Sequence, residues 1–170
     1  MAGTLSVQKI QGLASSATPT VVEISSGHVL QAPGHVLQVK QSSSSSDITT
    51  TSTSFVSSGL SVSITPSSTS NKVFVSANIG GFYMAQNDDI YVTIYRDSTN
   101  LGVGTKNCFV DVHNDNAQGR YGSASMQVLD SPSSTSAITY TIYYYTGNST
   151  AVYLNRQHTG LYLTAMEIAG

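Results

Sequence analysis

The chain has 170 residues, enough for one domain with its own core, and sets seven Lys and Arg against nine Asp and Glu for a formal charge of −2. Only 9% of residues are charged while 39% are apolar, so the polar surface must be built from Ser, Thr and Asn, which suits exposed sheet and turns better than surface helices. The scattered cations argue against nucleic acid, no apolar run reaches the ~18 residues of a membrane span, and the single Cys108 excludes an intrachain disulfide framework.

The opening MAGTLSVQKIQG lacks the long apolar core of a secretory leader. Val21, Val22 and Ile24 then form an apolar cluster in a stretch otherwise rich in Ser, Thr and Gly. The phrase GHVLQ follows twice, at Gly27–Gln31 and Gly34–Gln38. Its seven-residue offset puts Val29, Leu30, Val36 and Leu37 at heptad spacing. Pro33 and Gly34 interrupt any helix there, and a coiled coil needs about three heptads. Two short extended pieces joined at a kink fit better, and such pieces need an edge or groove belonging to something else. Residues 1–41 are therefore expected to be an extended arm that docks on another surface through Val21, Val22, Ile24, His28, Val29, Leu30, His35, Val36, Leu37 and Val39. Residues 42–52, which open with five serines, are expected to be a flexible joint. His28 and His35 hold equivalent places in the repeat, but neither has a second ligand at useful spacing, so no metal is expected.

From residue 53 onward the chain reads as strands, because apolar residues recur with period two. Leu60, Val62 and Ile64 alternate with hydroxyl residues, as do Val73, Val75, Ala77 and Ile79 with Ser76 and Asn78 among their neighbours. Ile90, Val92 and Ile94 share a face, as do Ile138, Tyr140, Ile142 and Tyr144 in AITYTIYYY. Val152 and Leu154, then Leu161, Leu163 and Ala165, repeat the pattern. A further strand is predicted over Tyr121–Val128, with weaker ones at Thr53–Val56 and Leu101–Thr105. Pro and small hydroxyl residues, or Asn, Asp and Gly, fill the gaps with turn chemistry. The expected fold is all-β: seven to nine strands in an antiparallel, jelly-roll-like β-sandwich over residues 53–170, preceded by the arm.

Lys106–Gly122 reads as the longest irregular stretch, so Asn107, Asp111, His113, Asn114, Asp115 and Arg120 are candidates for an outer, receptor-contacting loop. DVHNDN within it has calcium-type oxygens but lacks the glycine at loop position six and the closing Glu of an EF-hand. Cys108 reads as a small buried residue or an inert thiol. Tyr83, Tyr91, Tyr95, Tyr143, Tyr145, Tyr153 and Tyr162 have apolar bodies and polar tips. They suit subunit interfaces and sheet surfaces, and also stacking on sugars. No G-x-S-x-G elbow is present, and GVGTKN lacks the third glycine of a dinucleotide loop. Neither an enzyme nor a cofactor is expected.

The order LSVQKIQG, GHVLQVKQ, TSFVSSGLSVSITPSSTSNKVFVSA, LDSPSSTSAITYTIYYY and LTAMEIAG resembles virion surface proteins of tailed phages, those of cyanophages in particular. The most specific parts are Gly59–Val73, Leu129–Tyr140 and Met166–Gly170. The resemblance implies a non-enzymatic structural module on the virion surface. Its N-terminal arm would hold capsid or tail proteins, and its β-domain, commonly a homotrimer, would face outward. Related modules serve as capsid decoration (cement) proteins, head fibres or tail fibres. The chain has no shaft repeat, which favours a seat close to the particle. The alternative is a tail-fibre adhesin that recognises a host surface glycan.

Overall fold

Alternation decides both which segments pair and which way their side chains face. The computed structural model describes residues 32–170, and its strands in chain order are β1 (Val36–Ser44), β2 (Ile48–Thr50), β3 (Val56–Ile64), β4 (Lys72–Met84), β5 (Asp88–Arg96) and β6 (Thr99–Asn100). They continue as β7 (Val110–Asn114), β8 (Arg120–Asp130), β9 (Ile138–Thr146), β10 (Val152–Leu154) and β11 (Leu161–Ile168), with a single 3-10 turn at Arg156–His158. Every pairing among them is antiparallel.

Two sheets result. In the first, β1 pairs with β11, β11 with β4, and β4 with β8, while β10 and β2 extend the far end of β4. In the second, β3 pairs with β9, β9 with β5, and β5 with β7 and β6. Setting aside the three shortest strands, the remaining eight interleave as first-eighth-third-sixth and second-seventh-fourth-fifth. That order is the jelly roll. The inner faces close on Val73, Val75, Ala77 and Ile79 from one sheet and on Ile90, Val92, Ile94, Ile142 and Tyr144 from the other, all buried.

Two buried polar clusters tie the sandwich at its seams. Asp130 on β8 accepts Arg96 Nη1 on both carboxylate oxygens, at 2.8 and 2.9 Å, and the Tyr140 hydroxyl at 2.8 Å. It thereby joins the first sheet to β5 and β9 of the second. Burial, followed by the bond to Asp130, pushes the Tyr140 hydroxyl well above its ordinary value, so it stays a donor. Glu167 on β11 is 1% exposed. It accepts from Gln38 Nε2 (2.5 Å), Ser67 N (2.6 Å), Ser67 Oγ (2.8 Å) and Asn71 Nδ2 (2.6 Å). The turn TPSSTSNK is thus wrapped around a carboxylate from the far end of the chain.

The boundaries drawn from composition need correction. Composition places residues 36–44 at the end of an arm and the start of a loose joint, yet they form β1, in register with β11 from Val39↔Met166 to Ser44↔Leu161. His35, Val36, Leu37 and Val39 therefore lie on an edge of the chain's own sheet, with Leu37 at the register shift between Val36 and Gln38. The rest of the serine tract is tied down too. Asn155 Nδ2 donates to Ser44 O and Ser46 O at 3.1 and 3.0 Å, and Arg156 pairs with Asp47 at 2.9 Å. Ile48–Thr50, also inside the expected joint, pairs with β10 as β2. The physical reason is that an edge strand needs only backbone partners, so its side chains can remain polar and give no apolar signal. Val21, Val22, Ile24, His28, Val29 and Leu30 lie outside the described residues.

Smaller differences follow. Val110–Asn114 and Arg120–Gly122 are strand, not loop, and Leu101–Thr105 holds only an isolated bridge from Val103 to Cys108. β3 begins at Val56, so Thr53–Phe55 precede it.

Burial alone would raise the Glu167 carboxyl, but its hydrogen bonds outweigh that and hold it below the usual carboxylate value. A depressed folded value means that its contribution is present above the unfolded value of about 4.3 and is lost as pH falls through the folded one. Glu167→Gln removes the charge and, with its carbonyl oxygen kept on the three donors from Ser67 and Asn71, sets an amide NH2 against Gln38 Nε2. Chemical denaturation at pH 7 is expected to show a loss of about 2–3 kcal/mol, shrinking as the pH is lowered toward 3.

Candidate functional site

Residues paired across antiparallel strands point to the same side of a sheet. The outer face of the first sheet can therefore be read row by row. At one end Val39 (β1), Met166 (β11), Phe74 (β4) and Leu129 (β8) stand in line. Val39 and Leu129 are 54% and 53% exposed. Val36, also half exposed, pairs with Ile168 in the next row. The middle rows are polar, Gln41–Thr164–Ser76–Gln127 and Ser43–Tyr162–Asn78–Ser125, with Tyr162 as the one aromatic ring.

At the other end three tyrosines line up across β10, β4 and β8: Tyr153 opposite Tyr83, and Tyr83 opposite Tyr121. Ring centroids lie 5.9 Å apart for Tyr83 and Tyr153 and 4.8 Å apart for Tyr83 and Tyr121. Arg156 lays its guanidinium over Tyr153 at 4.4 Å and is held by Asp47. Beside this row lies a groove of about 380 Å3 lined by Gly80, Gly81, Tyr121, Gly122, Ser123, Arg156, Gln157 and Thr159.

The local sequence explains the shape. β4 breaks register with β8 between Ile79 and Phe82, at Gly80-Gly81. A Cβ on Gly80 would stand 2.7 Å from the carbonyl oxygens of Thr159 and Gly160, so only glycine lets the 155–160 turn lie against the strand. That turn carries positive φ at Asn155 (57°), Gln157 (63°), His158 (58°) and Gly160 (99°). Asn155, fully buried, holds it: its Oδ1 accepts Gly160 N at 2.5 Å while its Nδ2 grips the serine tract. The sequence places Tyr121 in a strand but does not mark it as part of an aromatic row, because its neighbours Gly122 and Ser123 give it no aromatic company. Its partners arrive only through strand pairing.

The other candidate tyrosines lie on the outer face of the second sheet. Tyr91 stacks on Tyr145 at 4.4 Å and Tyr95 on Tyr143 at 4.0 Å, with Phe55 edge-on to Tyr145 and Tyr95. Lys106 reaches over Tyr91, which is 3% exposed, so this cluster is largely covered. Burial, then Asp89, raises the Tyr91 hydroxyl, and burial, then Asp111, raises the Cys108 thiol, which is thereby kept protonated and poorly nucleophilic.

The candidate loop residues do not converge on one site. Asn114 is buried and donates to Ala85 O and Gln118 O at 2.8 and 2.9 Å, pinning two turns. Arg120 donates to His113 O at 3.0 Å. Asn107 takes a positive φ of 51° and its carbonyl accepts from Asn100. Asp115 is exposed just beyond β7. His113 stands between two carboxylates, Nδ1 at 2.8 Å from Asp89 and Nε2 at 3.0 Å from Asp111. The bond to Asp89 raises its value above the ordinary 6.5. The charged imidazole therefore adds stability below about pH 6.5, and that contribution is lost as pH rises through the folded value. An NMR titration of His113 is expected to give an apparent pKa above 6.5, and Asp89→Asn to bring it back toward that value.

No protein-family model and no curated protein matches the sequence. Among solved structures, a chain in the structure of the infectious bursal disease virus Gx strain is similar at a TM-score of 0.39 and 13% identity, over 88% of this chain and 36% of that one. This chain thus spans well under half the length of its neighbour.

Proposed function

We propose that the protein is a non-enzymatic structural component of a tailed-phage virion. It assembles as a homotrimer, is held to capsid or tail proteins by the segment preceding β1, and displays its sandwich outward as a decoration protein or short head fibre. The observation that carries this reading is the apolar row Val39–Met166–Phe74–Leu129, with Val36 and Ile168 beside it, on the outer face of the first sheet. None of these residues is needed to close the core. Burying a Val or Leu side chain contributes about 1.5–3 kcal/mol, so a neighbouring copy seated on the row gains from each. The polar rows beside it form the hydrated rim that such an interface requires. The jelly roll serves viral capsid domains and lectins alike, so the fold is compatible with the reading without choosing it. The motif resemblance supplies the particle.

A second reading, a glycan-recognising adhesin, is favoured by the tyrosine row at the opposite end of the same face.

Sedimentation of the full chain is expected to give a trimeric mass at micromolar concentration. The double variant Val39→Asp, Leu129→Asp is expected to sediment as a folded monomer. A wild-type monomer would contradict the assembly, and deletion of residues 1–31 without loss of incorporation into particles would contradict the anchoring role.

A further inference from the structure

We propose that the groove beside the tyrosine row is a carbohydrate subsite for an uncharged pyranose, with the ring of Tyr121 as its stacking face. The inference rests on the adhesin reading and gives it a place and a ligand class.

Tyr121 is 57% exposed, an unusual state for a ring with no core to fill, yet it does not swing freely. Tyr83 packs against it at 4.8 Å with an interplanar angle of 51°, and Tyr83 is itself backed by Tyr153. One face of an aromatic ring is thereby pre-positioned at low entropic cost, the arrangement that suits the C–H face of a sugar. Gly80, Gly81 and Gly122 line the groove, and their missing side chains make room for the 155–160 turn and for the Phe82 ring that shape it. Ser123, Gln157 and Thr159 supply hydroxyls and an amide, which match a pyranose's mixed donor and acceptor hydroxyls. The volume of about 380 Å3 lies at the small end of ligand pockets, appropriate to one or two sugar rings rather than a long acyl chain or a folded partner.

Three of the eight non-glycine residues with positive φ among the described residues, Asn155, Gln157 and His158, sit in the turn beside this groove. Gln157 reaches it from a backbone at φ 63°, beside His158 at 58°, in a turn that buried Asn155 holds from behind. A non-glycine backbone kept in the left-handed region by its surroundings is a mark of positions where side-chain placement matters.

Charge decides the class of sugar. Arg156 is the charged residue of the lining, and it is committed on two sides: its Nη1 to Asp47 at 2.9 Å and its plane to the Tyr153 ring at 4.4 Å. With Asp47 neutralising it, the groove offers no net positive charge to a carboxylate. A neutral pyranose is selected over sialic or uronic acids.

The test is titration of the 15N-labelled full chain, followed by amide shifts, with the methyl glycosides of glucose, galactose, mannose and N-acetylglucosamine. N-acetylneuraminic acid and glucuronic acid are the charged comparators. At least one neutral glycoside is expected to give saturable shifts centred on Tyr121, Ser123 and Gln157, with a dissociation constant of the order of 1 mM. Tyr121→Ala should weaken it at least about tenfold with an unchanged thermal midpoint, Gln157→Ala about fivefold, and Tyr121→Phe, which keeps the ring, by no more than about threefold. Preference for the acidic sugars, or binding that survives Tyr121→Ala, would overturn this subsite while leaving an adhesin standing elsewhere on the surface. No saturable shift from any sugar up to about 10 mM would remove both.

Discussion

One buried carboxylate sets where this chain must close. Glu167 can be taken out of water only if donors surround it, since an unpaired buried charge costs several kcal/mol. Those donors come from β1 (Gln38) and from the turn between β3 and β4 (Ser67 and Asn71). The last strand, the first strand and an early turn are thereby made one unit. The pairing β1–β11–β4 follows from it, and with that pairing three of the four long strands of the first sheet are placed. At the other end of the same strands Asn155 plays a parallel part, closing its own left-handed turn while gripping the carbonyls of Ser44 and Ser46.

With both ends of β1 and β11 held, the outer face of the first sheet acquires a defined order. An apolar row occupies one end, a hydroxyl- and amide-rich band the middle, and a tyrosine row with its groove the other end. The two ends have different chemistry because they draw on different strands: β1 and β11 contribute to the first, β10 and the glycine-broken half of β4 to the second. A single face can thus serve assembly at one end and ligand contact at the other.

The parts of this arrangement legible in the sequence are those carried by local pattern. SGLSVSI, KVFVSANI and AITYTIYYY alternate without ambiguity, and their inward residues form the core. The sandwich class follows from counting such runs. The parts not legible depend on partners distant in sequence. QVKQSSS has no apolar stripe because β1 sits on an edge, so composition points to a coil where backbone pairing makes a strand. Nothing near Glu167 in the sequence announces a buried acid, since its donors lie about a hundred residues or more away. Tyr121 meets Tyr83 and Tyr153 only through register. The pattern VDVHN, which is β7, alternates for too few residues to separate from the polar loop that follows it.

The central claim is that the serine-rich segment before residue 45 is part of the sandwich rather than a joint. Amide hydrogen exchange reads this directly. The β1 amides that face β11 between Val39 and Ser44 are predicted to exchange orders of magnitude more slowly than an unstructured Ser-rich peptide, and to slow or quicken together with β11 when Glu167 is changed to Gln. Exchange of those amides at the unstructured rate, with β11 still protected, would contradict the account.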